Sequence, residues 1–523
     1  MKGLILFKIL LPLWFANTVA ATPNLTDISV TYAQSLRSST ETTTPRARVK
    51  KTLKNLANTI VQTDESQYCY LKATVDKVFK NSECNNSNYL NFYSKPPVGQ
   101  SPLQDKIKLG SFNLKHLGNS PFKYVEGIAQ IINQWDIVSV LELDSVSKNS
   151  GFYKYNLQLK LLSRDLFNEK KFGKSKQLIQ NMFRPGYLQL LDSLNNQFPN
   201  ANWSLMLAKV PVGPKGHEEF VGYFYKAHLA KAMRTKACPN KAKGCLIQFS
   251  DELAPIKASV ARPAFITRFL TQKNDLTLFT SHFRFNPPNE ELTKKAIKYI
   301  NQRESGLFDK LDISKRIIHR YIELYMHLEQ VYLFKQQNKF SSSKYIFMGD
   351  LNIGTHQSNY KEAWELVFEH TLKNAEVFVD NKTTISVKGR FSNPYDHFIY
   401  NPKRLSRCSK TLPSRFNFID DNSPFTDATH LLAINLRSLK DNTTKQIIKK
   451  FITHKYWSNL RLFYDYSLKD LITKYNPTDR FIMELVEKFH KRLVASQFNM
   501  NTPYTFYIQT ISDHLPISMT CDN

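Results

Sequence analysis

From Ile107 onward the chain alternates two hydrophobic rhythms. Short apolar runs, "IKLGSFNL", "DIVSVLEL", "WSLMLAKV", "FVGYFYKA", "LTLFTSHF", "YIFMGDLN" and "DHFIYNP", have the length and the β-branched or aromatic content of strands. Between them lie stretches whose apolar residues recur with helical spacing, such as "YVEGIAQIINQW" and "ISKRIIHRYIELYMHLEQVYLF". Strands alternating with helices predict a layered α/β core, because each sheet face must be covered by another layer. Over residues 411–510 the rhythm changes. "QIIKKFITHKYW" and "DRFIMELVEKFHKRLVASQF" read as helices with few strand signals, which predicts a helical insertion before a last strand at "ISDHLPISM". Residues 22–104 are rich in Ser, Thr, Lys and Asn and end in the loop-like "SKPPVGQSP". They read as an amino-terminal extension, helical near "RVKKTLKNLANTIVQ", ahead of a core spanning 105–523.

The first 21 residues change the picture of where this core works. "MKGLILFKILLPLWFANTVAA" has a basic start, an apolar run interrupted by Lys8, and small residues at a cleavage point after Ala20 or Ala21. It reads as a secretory signal peptide, too short and interrupted to span a bilayer. Export makes disulfides the expected fate of the six cysteines at positions 69, 84, 238, 245, 408 and 521. Cys69 with Cys84 and Cys238 with Cys245 are plausible local pairs, leaving Cys408 for Cys521, but six cysteines allow about 15 connectivities and spacing alone does not choose. Zinc is disfavoured, since no Cys-x-x-Cys or histidine cluster has ligand spacing.

Charge then narrows the partners. With 72 Lys and Arg against 44 Asp and Glu the formal charge is +28, so the chain projects a positive field that attracts polyanions. Nucleic acid and an anionic membrane surface are the natural candidates. A hydrophobic content of 42% over 523 residues supplies a large core and excludes a disordered chain. The basic runs "KRIIHR" and "KQIIKK" offer themselves as contact patches, although solvated helix faces account for them slightly better.

Against that basic background, the polar residues at strand ends stand out. "GSFNLKH" supplies Asn113, "VLELD" Glu142, "FTSHFRF" His282, "FMGDLNIG" Asp350 and Asn352, "NPYDHFIYNP" Asp396, and "ISDHLPISM" Asp513 and His514. Singly, each is commonplace: Asn, Gly and Asp form turns, and a lone histidine is usually a satisfied one. Acids and amides directly after apolar strands are costly to bury unpaired, so their recurrence points to a shared cation or ligand. Ligands commonly lie at strand ends in layered sheets.

The order of these stretches resembles the endonuclease/exonuclease/phosphatase superfamily, and within it the deoxyribonuclease I-like nucleases. The stretches that carry the resemblance are "GSFNLKHLG", "DIVSVLELD", "EEFVGYFYK", "ARPAFITRF", "TSHF", "MGDLN", "NPYDHFIY" and "SDHLP", covering roughly residues 105–410 and 505–523. It implies a four-layer α/β sandwich with helical insertions and a site at the sheet ends. By resemblance, Asn113 and Glu142 match metal-binding positions, and Asp350, Asn352 and Asp513 further metal- or phosphate-binding ones. His282 and His514 match catalytic histidines, paired with Glu219 and Asp396 respectively. Arg262 fits a phosphate-contacting arginine, although the family's Arg-Glu-Pro is here Arg-Pro-Ala. The implied cofactor is Mg2+, with Mn2+ as a substitute and Ca2+ as a structural ion.

Such a site hydrolyses phosphodiesters with a histidine base, His514, and a histidine acid, His282. DNA is the first expected substrate, given the positive charge, the export signal and a seven-residue spacing from Glu219 to Lys226 that resembles that of the secreted nucleases. Two departures weaken an expectation of duplex binding. Asp144 stands where the vertebrate enzymes carry a minor-groove arginine, and His217 where they carry a stacking tyrosine. RNA and single strands therefore stay open, as do a sphingomyelinase-type phospholipase C acting on membrane phospholipid and a nuclease-like toxin subunit with a protein partner.

Overall fold

The computed structural model describes residues 80–81, 89–93, 106–117, 123–144, 186–214, 217–339, 344–355, 358–378, 382–386, 390–406, 408, 413–417, 487, 507–508 and 510–522. The expected signal segment, most of the expected extension with Cys69 and Cys84, the run "KQIIKK" and most of the stretch 411–510 lie outside them.

The described residues build two mixed sheets. The first contains Lys80–Asn81 (β1), Tyr89–Tyr93 (β2), Lys106–Leu117 (β3), Ile137–Leu143 (β4), Trp203–Ala208 (β5), Phe220–Lys226 (β6), Ser414–Arg415 (β16) and Ile517–Asp522 (β17). Their order is β1-β2-β5-β6-β4-β3-β17-β16. The second contains Lys231–Met233 (β7), Gly244–Leu246 (β8), Phe265–Leu270 (β9), Asp275–His282 (β10), Tyr345–Asp350 (β11), Glu376–Phe378 (β12) and Asp396–Tyr400 (β15). Its order is β12-β15-β11-β10-β9-β7, with β8 also on β9. A small hairpin, Ile385–Ser386 (β13) with Arg390–Phe391 (β14), stands apart.

Each sheet contains a parallel pair, β3 with β4 and β10 with β11. A parallel pair requires a crossover, and helices supply it. Val125–Ile132 (α1) connects β3 to β4, while Glu290–Arg303 (α3) and Ile318–Gln336 (α4) connect β10 to β11. Gly186–Gln197 (α2) and Ser358–His370 (α5) are further α-helices among the described residues.

Strand alternation sorts the apolar side chains into three cores and hence four layers. Phe112, Val138, Val140, Leu205 and Phe224 face α1 and α2 on the outside of the first sheet. Leu109, Leu141, Met206 and Tyr223 point the other way and meet Phe265, Leu278, Ile346, Met348 and Phe398 between the sheets. Phe279, Phe347 and Ile399, on the far face of the second sheet, pack under α4 and α5. The period of two along "YIFM" shows the rule, with Ile346 and Met348 turned inward and Phe347 outward. The protein is thus a four-layer α/β sandwich. Residues 89–93, within the stretch expected to be an extension, form β2 and pair with β5, so the first sheet begins before residue 105. Ser414–Arg415 likewise extends that sheet from inside the expected insertion.

Two covalent or steric features fix the ends of the strands. Disulfides Cys238–Cys245 and Cys408–Cys521 are formed, and the second ties the last strand to the segment after β15 across 113 residues. Closing a loop of that order restricts the unfolded chain by roughly 4–5 kcal/mol in the chain-entropy picture. Cys408→Ser together with Cys521→Ser is therefore expected to lower the urea midpoint markedly, while a similar loss from reducing agent in the double variant would place the effect elsewhere. Gly349, just before Asp350, has φ +141, and a Cβ there would lie 2.0 Å from the Ser281 carbonyl oxygen of the neighbouring strand. Gly349→Ala should cost on the order of 3 kcal/mol in a denaturant titration; an unchanged midpoint would contradict this close approach.

Candidate active site

The register of the second sheet brings three predicted residues into one row. His282 lies opposite Asp350 across β10 and β11, and Asp350 lies opposite Asp396 across β11 and β15. The first sheet meets this row with the ends of its own parallel pair. There β3 and β4 carry register shifts between Asn113 and Leu117 and between Val140 and Leu143. Glu142 accordingly takes φ 55, with Lys115 at φ 42 and His116 at φ 57. Bulges re-aim side chains, and a non-glycine residue held at positive φ stores roughly 1–3 kcal/mol of strain. Here the bulges turn Glu142 and Asn113 toward the row on the other sheet.

The side chains converge on Asp350, which is 2% exposed. His282 receives Glu219 at Nδ1, at 2.9 and 3.1 Å to the two carboxylate oxygens, and presents Nε2 3.6 Å from Asp350 Oδ2. His514 receives Asp396 at Nδ1, at 2.7 Å, and presents Nε2 3.5 Å from the same Asp350 oxygen. Asn113 Nδ2 donates to Asp350 Oδ2 at 3.1 Å and to Glu142 Oε1 at 2.8 Å. Two imidazoles, each backed by its own carboxylate, thus face one carboxylate oxygen.

Electrostatics follows from that crowding. Burial alone would push His282 down, yet the facing Glu219 and the nearby Asp350 outweigh it and raise its pKa to about 9. His514 is raised well above its ordinary value against the same burial penalty, by Asp396 and Asp350. Burial drives the Asp350 carboxyl upward even though both imidazoles oppose it. Glu142 ends lowered, because His282, His116 and the Asn113 hydrogen bond outweigh its burial. For His282 the shift corresponds to about 3 kcal/mol of pH-dependent stability. Its folded value lies above the ordinary 6.5, so this stabilisation is full below about pH 6.5 and is lost as pH rises through about 9. Chelator-treated protein should unfold at lower urea at pH 9.5 than at pH 6.5, and His282→Gln should flatten that difference. An unaltered slope in the variant would contradict the pairing.

The remaining predicted residues lie at the edge of this cluster. Asp513 is one-third exposed at its side chain, 4.0 Å from His514 Nε2, and paired with Lys115 Nζ at 2.9 Å. Asn352 is buried, its backbone N–H donating to Asp350 Oδ1 at 3.0 Å and its side chain to the Phe283 carbonyl at 2.8 Å. Arg262 Nε approaches Glu219 Oε2 at 3.3 Å. Asp144 and His217, the two departures from the resembled family, differ in setting: Asp144 is buried against His116 at 3.3 Å, and His217 is exposed.

Three neighbours escaped the sequence reading. His116 lies 3.6 Å from Glu142 Oε2, and its hydrogen bond to Asp144 lifts its pKa to about 9 against burial. It and Lys115 follow Asn113 within "FNLKH", so adjacency to the motif could have flagged both. Lys123 is buried and donates to the carbonyls of Leu114, at 2.9 Å, and Ile511, at 2.5 Å. It pins β3 to the segment that carries Asp513 and His514. Nothing in the local pattern marks it.

No protein-family profile and no curated protein sequence matches the chain. Solved structures do resemble it, at low TM-score and identity. Truncated Caenorhabditis elegans TDP2 has a TM-score of 0.31 and 10% identity, covering 80% of this chain and 98% of that one. Staphylococcus aureus beta toxin has a TM-score of 0.31 and 11% identity, covering 60% and 90%. An endonuclease/exonuclease/phosphatase family protein from Bacteroides thetaiotaomicron has a TM-score of 0.28 and 10% identity, covering 57% and 83%. TM-scores this low assign no chemistry to the chain.

Those residues fit a divalent cation. Asp350, Asp396 and His514 offer ligand atoms within 4.8 Å of one another, and the buried Asp396 Oδ1 has no hydrogen-bond partner. Since His514 Nδ1 and Asp396 Oδ2 already bond each other, a better anionic pair is Glu142 with Asp350, both of which turn an oxygen to the electropositive amide NH2 of Asn113. Hard cations prefer such oxygens. Asn113 Oδ1 accepts from the Lys115 backbone N–H at 2.9 Å, so serving as an oxygen ligand requires its amide to turn over.

Proposed function

We propose that the protein is an exported, Mg2+-dependent phosphodiesterase that hydrolyses nucleic acid, with DNA as its principal substrate. One observation carries the reading: two carboxylate-backed imidazoles present their free Nε2 atoms to a single buried carboxylate oxygen. Phosphodiester hydrolysis needs one group to take a proton from water and another to protonate the departing oxygen. In this reading Asp396 holds the Nδ1–H of His514, whose Nε2 accepts the proton once the imidazole, held well above its ordinary pKa by Asp396 and Asp350 in the cation-free cluster, has lost its own. Glu219 does the same for His282, whose protonated Nε2 serves the leaving group. Glu142 and Asp350, with Asn113 and Asp513 beside them, would hold the cation, which when bound neutralises phosphate charge as a Lewis acid. Arg262 and Asn352 frame the phosphate position from the second sheet.

Export rests on the leader-like first 21 residues and agrees with the two formed disulfides, which belong to an oxidising compartment. The preference for nucleic acid over lipid rests on the net charge of +28. Purified protein should degrade plasmid, single-stranded DNA or RNA with magnesium and stop with chelator. Hydrolysis of sphingomyelin with all three nucleic acids intact would replace this reading by the phospholipase one. If DNA binding is largely electrostatic, its affinity should fall by about 10³-fold or more between 50 and 200 mM salt; a filter-binding series flat in salt would contradict that.

A further inference from the structure

Beside the imidazole pair lies a feature that the chemistry above leaves unused. Phe285 is 47% exposed, one of two large apolar side chains so exposed among the described residues. Single exposed apolar residues are ordinary. Phe285 differs because its ring is held. Arg320 of α4 lies over it at 4.6 Å and over Tyr395 at 5.7 Å, and the two aromatic rings meet edge to face at 6.4 Å. Arg320 is itself 4% exposed, donates to the carbonyls of Phe285 and Asn352, and among the described residues pairs with no carboxylate. Its partners are instead the main-chain carbonyls of the two segments that follow His282 and Asp350.

The position is as telling as the packing. Phe285 follows His282 by three residues and Tyr395 immediately precedes Asp396. The rings thus join the two strand ends that deliver the two imidazole pairs. Arg320 extends this link through the Asn352 carbonyl to the Asn352 N–H, which holds Asp350 Oδ1. An aromatic face backed by a cation and bounded by a phosphate site has the composition that single-stranded nucleic acid recognises, because bases stack on the ring while the backbone meets positive charge.

We propose that Phe285, stiffened by Arg320 and Tyr395, is a stacking platform for an unpaired base next to the scissile phosphate, so that the enzyme acts on single-stranded DNA in preference to duplex. This rests on the nuclease reading above. A base inside a duplex stacks on its neighbours and offers no free face to the ring.

The test compares kcat/KM on a single-stranded oligodeoxynucleotide, on its duplex and on an equally long oligomer of abasic tetrahydrofuran units. Wild-type protein is expected to favour the first. Phe285→Ala should lower the ratio of base-bearing to abasic kcat/KM by about 5- to 150-fold, as expected for loss of one stacked base. Phe285→Leu, which keeps the apolar bulk, should lower it similarly, and Phe285→Trp should preserve it. A 2-aminopurine oligonucleotide bound to the His514→Ala protein should lose fluorescence, and adding Phe285→Ala should restore it. An unchanged ratio in both Phe285→Ala and Phe285→Leu, or equal wild-type rates on duplex and single strand, would overturn the platform while leaving the nuclease intact. Wild-type protein that hydrolyses lipid and no nucleic acid would overturn the reading beneath it as well.

Discussion

His514→Ala is expected to reduce kcat by about 10²- to 10⁴-fold, the usual contribution of one positioned acid or base. The loss should come with little change in substrate affinity, because His514 meets Asp396 and Asp350 rather than the exposed basic surface. His282→Ala should cost a comparable factor for the opposite proton, and the double variant should fall well short of the product, since groups that act as a unit are not additive. The carboxylates behind the rings offer a second readout. Asp396→Asn keeps the shape of the side chain but removes the charge that holds His514 raised, so the pH–rate profile should move toward lower pH on the limb set by that imidazole. Near-wild-type turnover in either histidine variant would remove it from the mechanism.

Asp350→Asn should have an effect of similar or larger size, on the order of 10³-fold, for a different reason. Asp350 accepts from Asn113 Nδ2 and the Asn352 N–H while facing both imidazoles, so it is the shared electrostatic partner of the whole cluster. An amide fits the same space and can keep one of those hydrogen bonds through its oxygen, but its NH2 opposes the second donor and its neutrality no longer favours the protonated imidazoles. Removing one member of a buried, charged cluster costs about 3–5 kcal/mol when its partners stay charged. Here the partners can relax by losing protons, so part of that cost should reappear as lowered imidazole pKa values, visible in histidine-selective NMR titrations. Divalent-ion affinity measured calorimetrically should fall in parallel. An Asp350→Asn protein that keeps its ion affinity and both raised imidazoles would separate Asp350 from the cluster.

The layered fold was legible because burial on two faces leaves a strong trace: "YIFM" and "DIVSVL" are apolar on both faces, and the helices between them keep their own period. The acids and histidines were legible where a polar residue ends an apolar strand, as at Asp350 and His282. What joins them was not. Glu219 meets His282 across 63 residues and Asp396 meets His514 across 118. Such contacts are set by strand register, which local pattern does not encode. The positive φ of Glu142 is likewise a product of two bulges rather than of residue type. Arg320 and Lys123 looked like ordinary members of a basic chain, since nothing in composition separates a buried cation capping carbonyls from a solvated one. Tyr89–Tyr93 was hidden by its polar flanks and acquires its place only by pairing with β5.

Segments from both sheets are proposed to form one cation-binding hydrolytic centre at Asp350. Anomalous diffraction from crystals grown with Mn2+ tests it most directly. A strong peak bounded by Glu142 and Asp350, within reach of the two imidazoles, is the expected result. A difference map with no peak there, or with the ion bound elsewhere while the cluster stays closed on itself, would contradict it.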